Sequence, residues 1–461
     1  MKRAQLCITF AVALAAWLAP SDAHAERIKE IDVVDNTKTT DDTVILIADI
    51  EVGDQWNVEM VPRIEGDLVN SGLFKEVDVF TRPVEGGVRV TIRAVDKHSW
   101  IIAPTVYNQP TNKGGGIGFG ENNLFGEDKK LLLYGQIATG DSFFIGAYVD
   151  PSIAGSRFHW QLDTFLRHER VFEYQAPQKF VFDPKKVRRS VETYLNNGAS
   201  IGLELWRGAS LDLRLRGAYV YFDKTKLVDG ACLEDVFGDP TNSGACTPPG
   251  DTPIPEPGGE GWDISSEVKL TFDNTANWYG IFSGNKYMVS FERSLLDLGS
   301  DFDYWLTSVQ YVRARKYFSR HNLIMKFNGG YGQGLPFQQE WTSGGPDQRG
   351  LKNRQLRGNL RLTGTLEYSI PVFTIKGFAF RGLAFYDGSY TTFFHAQPAR
   401  AQRNYLPGYA SHGLAPWKNT VGGGVRLYVR QIVLPLLGLD FGYGLERGEL
   451  EIYFAIGLTA F

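Results

Sequence analysis

From Trp100 onward, apolar and polar residues alternate with a period of two in one segment after another. Phe158, Trp160, Leu162, Thr164 and Leu166 share one parity, and His159, Gln161, Asp163 and Arg167 the other. Leu211, Leu213, Leu215, Tyr219 and Tyr221 likewise oppose Asp212, Arg214 and Arg216. Val268, Leu270 and Phe272 oppose Lys269, and Val421, Val425, Leu427 and Val429 oppose Arg426 and Arg430. The last segment puts Leu450, Ile452, Phe454, Ile456 and Leu458 on one face. Successive side chains of a strand point to opposite sides, so each segment predicts a strand with one apolar and one polar face.

A water-soluble sandwich also alternates, but three features favour a strand that crosses a bilayer. The segments run to roughly 9–13 residues, the reach of a tilted membrane strand. The polar face lacks a second apolar layer. Tyr, Trp and Phe gather near segment ends, as an interfacial girdle requires. Lipid satisfies no backbone group, so such a sheet must close on itself.

Sixteen strands are read, from 100–107 to 450–461, with 301–312 and 320–331 as the tenth and eleventh. Connections after even-numbered strands are short (207–209, 370–374, 431–437). Several after odd-numbered strands are long (169–191, 223–262, 332–358, 388–418). That asymmetry is the signature of an outer-membrane barrel.

The first hundred residues read differently. Lys2 and Arg3, the apolar run Leu6–Leu18 and Ala23-His24-Ala25 predict a cleaved leader over 1–25. Residues 26–96 predict a βααββ module. Ile28–Val34 is its first strand, Thr40-Asp41-Asp42 opens a helix, Val58–Ser71 forms a second, and Glu76–Phe80 and Val88–Ala94 close it around Glu85-Gly86-Gly87. Such a module buries one sheet face under two helices and offers a sheet edge to an extended segment of another chain. The remainder, 97–461, is the barrel.

Composition removes other classes. Mean hydropathy of −0.21 argues against a helical membrane bundle. A net charge of −4 with no long basic tract gives no footprint for nucleic acid. The seven histidines form neither a HExxH nor a Cys/His cluster, and the glycine run Gly114–Gly120 lacks the Lys and helix of a phosphate loop. No catalytic residues, cofactor or metal site are expected. Cys7 leaves with the leader. Cys232 and Cys246 lie in one polar stretch of an exported chain, read as a local disulfide or as two free thiols in a loop.

Several short motifs, in order, resemble the BamA/TamA superfamily of outer-membrane assembly and translocation barrels. Ser71-Gly72-Leu73-Phe74 with Val77 resembles a POTRA signature, and Asn123-Leu124-Phe125-Gly126 resembles the family's early barrel turn. Gly344-Gly345 with Gln348-Arg349-Gly350 resembles the sixth extracellular loop, although Leu351 stands where an aromatic is usual. Glu367-Tyr368 and Phe385-Tyr386-Asp387 resemble the two following strand motifs, and Phe461 the terminal aromatic of outer-membrane barrels.

The resemblance implies a mainly β, transmembrane sixteen-stranded antiparallel barrel behind one periplasmic POTRA-like domain. It implies that Arg349 folds into the lumen against Glu367 and Asp387. It further implies a lateral gate between first and last strands. The partners it implies are outer-membrane lipids, unfolded outer-membrane or secreted clients, and periplasmic accessory proteins. An assembly factor is the first expectation. A pore for a dedicated secreted partner is the second, and a passive channel the third.

Overall fold

A computed structural model describes residues 26–176, 184–239, 241, 243–278, 280–375, 377–394, 402–409, 417–429 and 435–456. The expected leader, 1–25, and Phe461 lie outside them. The chain divides at Ser99/Trp100 into two compact units, with the turn Phe125–Asp128 grouped with the first.

The first unit carries β1 (Glu26–Val34), α1 (Asp41–Ala48), β2 (Gln55–Trp56), α2 (Met60–Asn70), β3 (Phe74–Val84) and β4 (Gly87–Asp96). The sheet order is β2-β1-β4-β3, with β1 parallel to β4. The two-residue β2, absent from the sequence reading, arises where Trp56 is buried and Gln55 pairs with Arg27. The core joins Ile28, Val44, Ile64, Leu68, Phe74 and Ile92. α1 starts at Thr40, whose hydroxyl accepts from Thr43 N–H at 3.3 Å. Ahead of it, the Asp96 carboxylate accepts the Thr37 and Lys38 N–H groups, each at 2.7 Å, and that of Thr39 at 3.3 Å. In the turn grouped with this unit, Gly126 O accepts from Thr40 N–H at 3.0 Å.

The second unit is a closed barrel of sixteen wall strands. The first eight are β5 (Trp100–Gln109), β6 (Asn112–Leu124), β7 (Lys129–Ala138), β8 (Asp141–Asp150), β9 (Phe158–Tyr174), β10 (Lys186–Trp206), β11 (Ala209–Leu227) and β12 (Gly261–Asp273). A short arm, β13 (Ala276–Trp278), pairs beside β14 (Ile281–Ser294). β15 (Trp305–Tyr317) and β16 (His321–Gln333) follow. An inserted hairpin of β17 (Trp341–Ser343) and β18 (Leu356–Gly358) comes next. The wall then closes with β19 (Leu360–Ile375), β20 (Phe378–Thr392), β21 (Lys418–Val429), β22 (Pro435–Gly444) and β23 (Glu449–Ile456). Its location is the outer membrane, with the amino-terminal region periplasmic.

The wall is apolar outside and charged inside. Leu213 is 53% exposed on the outer face. On the inner face, Arg216 is buried and bonds Asp263 at 3.0 Å and Glu292 at 2.8 Å. Water would invert this arrangement; hydrocarbon outside explains it.

Three readings need correction. The turn expected at 370–374 is strand: β19 runs to Ile375, and Pro371, which cannot donate to the ladder, is absorbed by a register shift before Phe373. The tenth strand is displaced from 301–312 to Trp305–Tyr317. Asp301 is held in the connection by accepting Trp262 N–H at 2.6 Å, and outward-parity Arg313 and Arg315 interrupt the apolar pattern near the other end. The long connections 169–191 and 223–262 are shorter than read, because β9, β10 and β11 extend into them.

Asp96 generates a test in the first unit. Burial raises its pKa, but the Thr39 hydroxyl and the N–H groups of Lys38, Thr37 and Thr39 outweigh this and hold it below the usual value. A depressed carboxyl contributes stability above its unfolded pKa and loses it as pH falls through the folded one. In Asp96→Ala, amide exchange at Thr37–Thr39 of the full-length protein should quicken roughly threefold to tenfold at neutral pH, for a net loss of about 1 kcal/mol at this partly exposed site. As pH falls below the usual aspartate range the difference should shrink, and the variant and the parent should converge once Asp96 is protonated in the folded protein.

Candidate functional site: an inward loop across the bore and a short seam

Between β17 and β18 the chain turns into the lumen. The reversal needs left-handed backbone, which glycine supplies at Gly344 (φ 120°), Gly345 (φ 78°) and Gly350 (φ 100°). It delivers Arg349 to the wall. Its guanidinium forks onto Asp387, Nε to Oδ2 at 2.9 Å and Nη2 to Oδ1 at 3.0 Å. Nη1 reaches Glu367 at 2.9 Å and Asp440 at 3.2 Å. The Arg349 N–H also donates to Asp387, and the Phe385 ring lies 3.4 Å from the guanidinium carbon. Arg426 completes the cluster, holding Asp440 with Nη1–Oδ1 at 2.5 Å and Nη2–Oδ2 at 2.6 Å. Burial lowers the proton affinity of Arg349, but the hydrogen bond and charge of Asp387, then Glu367 and Asp440, more than offset it. The Arg349 guanidinium therefore keeps its charge.

The backbone beside Arg349 is also held. Gly350 N–H donates to the Tyr453 hydroxyl at 3.1 Å, which donates in turn to Leu351 O at 2.8 Å. Gln348 donates to Lys418 O at 3.0 Å. The approach is close enough that a Cβ at Gly442 on β22 would stand 2.6 Å from Arg349 C and Gly350 N.

Five residues on, the loop meets a different wall. Arg354 bonds Glu169 on β9, and Glu169 is also 3.3 Å from Arg167. β9 is the fifth wall strand and β20, which carries Asp387, the thirteenth; in a ring of sixteen these lie opposite. The segment 349–354 thus crosses the bore. A cavity of about 540 Å³ lies on the β5–β8 side, lined by Tyr107, Tyr134, Phe143, Asn353 and Arg354. Another of about 250 Å³ lies on the β15–β19 side, lined by Lys326, Asn328, Arg349, Arg361 and Glu367.

A second network ties the long connections together. Buried charges alternate along Arg188–Glu173–Arg403–Glu340–Arg357, with contacts of 2.5, 3.0, 2.7 and 3.0 Å. Arg188 also donates to Pro255 O at 2.6 Å. The ends of β9 and β10 and the β11–β12, β16–β19 and β20–β21 connections all contribute.

The barrel closes between first and last strands. β23 pairs with β5 over three residue pairs among the described residues, Phe454↔Asn108, Ala455↔Tyr107 and Ile456↔Val106. β5 pairs with β6 over ten.

Of the residues singled out from sequence, Arg349, Gly350, Glu367 and Asp387 converge here. Asn123 and Leu124 end β6; Phe125 and Gly126 form the following turn with positive φ. Cys232 and Cys246 are joined by a disulfide with Cα atoms 5.2 Å apart. Sequence reasoning missed Asp440, Arg426, Tyr453, Arg354 and Glu169. A lone carboxylate at Asp440, between Leu439 and Phe441 in a glycine-rich strand, was the available signal for one of them. Among the described residues, no group of three or more His, Cys, Asp or Glu could hold a metal.

A family model described as the Omp85 superfamily domain matches residues 123–459. The chain is similar in structure to BamA from Haemophilus ducreyi lacking POTRA domains 1–3, with TM-score 0.64 and 14% identity over 94% of this chain and 84% of that one. It is similar also to CdiB from Acinetobacter baumannii (0.58, 14%, 94% and 74%) and to CdiB from Escherichia coli (0.60, 14%, 94% and 76%). No curated protein matches it.

Arg349→Ala would strand three carboxylates beside a single arginine, a loss of about 3–5 kcal/mol for breaking one side of a buried pair. Trypsin cleavage after Lys352 in the detergent-solubilised protein should accelerate at least about tenfold, as the loop leaves its seat. Arg354→Ala should accelerate it less, because Glu169 keeps Arg167. Equal rates in the parent and both variants would contradict the seating described.

Proposed function

The chain belongs to the Omp85 superfamily, and from that premise we propose that it inserts outer-membrane proteins, taking unfolded β-barrel clients at the periplasmic module and passing them through the seam between β5 and β23. The observation that carries this reading is the seam itself. It joins the first and last wall strands, with Phe454↔Asn108, Ala455↔Tyr107 and Ile456↔Val106 paired among the described residues. A strand edge freed when such a seam parts recruits an extended segment through main-chain hydrogen bonds. In the first unit, β3 offers a further edge, since it ends the sheet order.

A translocation pore for one secreted partner is the second reading. The crossing loop and the buried charge ladder occupy the axial route, which favours sideways release. Kinship with Omp85 barrels supports a non-enzymatic role. Outer-membrane components and client proteins are the partners that kinship implies.

The test is a reversible lock. Val106→Cys with Ile456→Cys places two thiols at paired positions of the seam. Oxidised, the double variant in liposomes should insert barrel clients at least about tenfold more slowly than either single variant, and reductant should restore the rate. Undiminished insertion with the seam crosslinked would refute lateral release. Client protein delivered into the vesicle interior through the locked barrel would favour the pore.

A further inference from the structure

The outer wall carries a pair of arginines that neither the barrel's closure nor the seam explains. β15 has no register shift against β14 or β16, so its odd-numbered side chains share the outer face from Trp305 to Tyr317. Trp305 packs there against Phe291 and Tyr331, with ring centroids 6.2 and 5.5 Å apart. Farther along, Tyr311 stacks at 5.1 Å on Tyr287, which meets Phe272 at 6.1 Å. These rings form a belt across three strands. The next two outward positions of β15 are Arg313 and Arg315. Beyond them stand Tyr317 and then Phe318, which is 82% exposed.

Neither guanidinium has a hydrogen bond or ion pair among the described residues, although Arg315 O accepts from Asn322 Nδ2 at 2.9 Å. Their cross-strand neighbours are Asn285 and Met325 beside Arg313, and Leu323 beside Arg315, with no carboxylate. The other outward arginine of this region, Arg293, is paired with Asp303 at 2.7 Å near the opposite end of the wall. Two uncompensated guanidinium groups thus lie between a belt of rings and an exposed Phe.

The depth fits a headgroup layer. Tyr311 to Arg315 is four residues, roughly 13 Å along a strand, or about 10 Å in depth for a strand tilted near 40°. The polar zone of one leaflet is about 5–8 Å thick. An arginine on the lipid face is costly at the midplane and nearly free at the interface. Wall strands alternate in direction, and the tenth, β15, ends on the side where the chain enters the first. That side is periplasmic.

We infer that Arg313 and Arg315 bind the phosphate of an anionic glycerophospholipid in the periplasmic leaflet, whose acyl chains lie along the Tyr287–Tyr311 belt. A planar guanidinium takes a phosphate diester with two hydrogen bonds. Two unneutralised cations select a headgroup with net negative charge over a zwitterionic one. The lipid sits six strands from the last wall strand and pins that part of the wall at fixed depth, away from the seam.

The full-length protein, delipidated in detergent, would be titrated with phosphatidylglycerol and separately with phosphatidylcholine, and the retained lipid read by native mass spectrometry. The parent should prefer phosphatidylglycerol. Arg313→Gln with Arg315→Gln should weaken that binding on the order of 30-fold, and Arg315→Gln alone about fivefold, at the usual contribution of one basic side chain each. Arg293→Gln should leave it unchanged. Equal retention of the two lipids by the parent would overturn the inference, as would phosphatidylglycerol binding by the folded double variant at the parent's strength.

Discussion

One buried guanidinium decides what kind of cylinder this is. Arg349 must leave water to reach the inner wall, and a charge removed from water is tolerated only when fully answered. Asp387 answers it with both oxygens at 2.9 and 3.0 Å, and Glu367 and Asp440 take the remaining nitrogen. Arg426, held by both oxygens of Asp440, keeps the cluster from accumulating negative charge. These groups come from β19, β20, β21 and β22, so the same contact that seats the loop also fastens four strands of the wall to one another. The small residues around it follow from it: any side chain at Gly442 would occupy the space of the Arg349 backbone.

The wall around the loop anchor is reinforced well beyond its ladders. Strands next to the loop anchor share long ladders, reinforced by the charge cluster and by the Tyr453 hydroxyl bridging to Gly350 and Leu351. Tyr453 lies on the last strand, so that partner of the seam is tied to the loop. Parting on the β5 side would leave the anchored side in place. A wall held rigid on one flank of the seam meets a mechanical requirement of a lateral exit.

Much of this was legible before any coordinates. Period-two alternation gave wall strands and their faces, because hydrocarbon outside and charges inside leave a parity signature in each segment. The resemblance brought Arg349, Glu367 and Asp387 into one group. Other features had no such signature. Asp440 and Arg426 sit on strands whose pairing had to be known before their meeting could be seen. The Arg354–Glu169 contact joins residues far apart in sequence across the bore, and the ladder through Glu173, Arg403 and Glu340 depends on how three connections pack against the ends of β9 and β10. The register shift that absorbs Pro371 and carries β19 on to Ile375 has no signature in composition. Arg313 and Arg315 shortened the apparent tenth strand, since apolar parity alone does not register a lipid-facing cation.

The central claim is that the loop stays clamped across the bore while the seam yields. Pulsed electron paramagnetic resonance on the protein in liposomes, with one label pair joining position 352 to the β20 wall and another spanning positions 106 and 456, measures both at once. On adding unfolded client, the loop–wall distance should stay single and narrow while the seam distance lengthens and broadens. A loop–wall distribution that broadens together with the seam, or a seam that stays narrow during insertion, would contradict it.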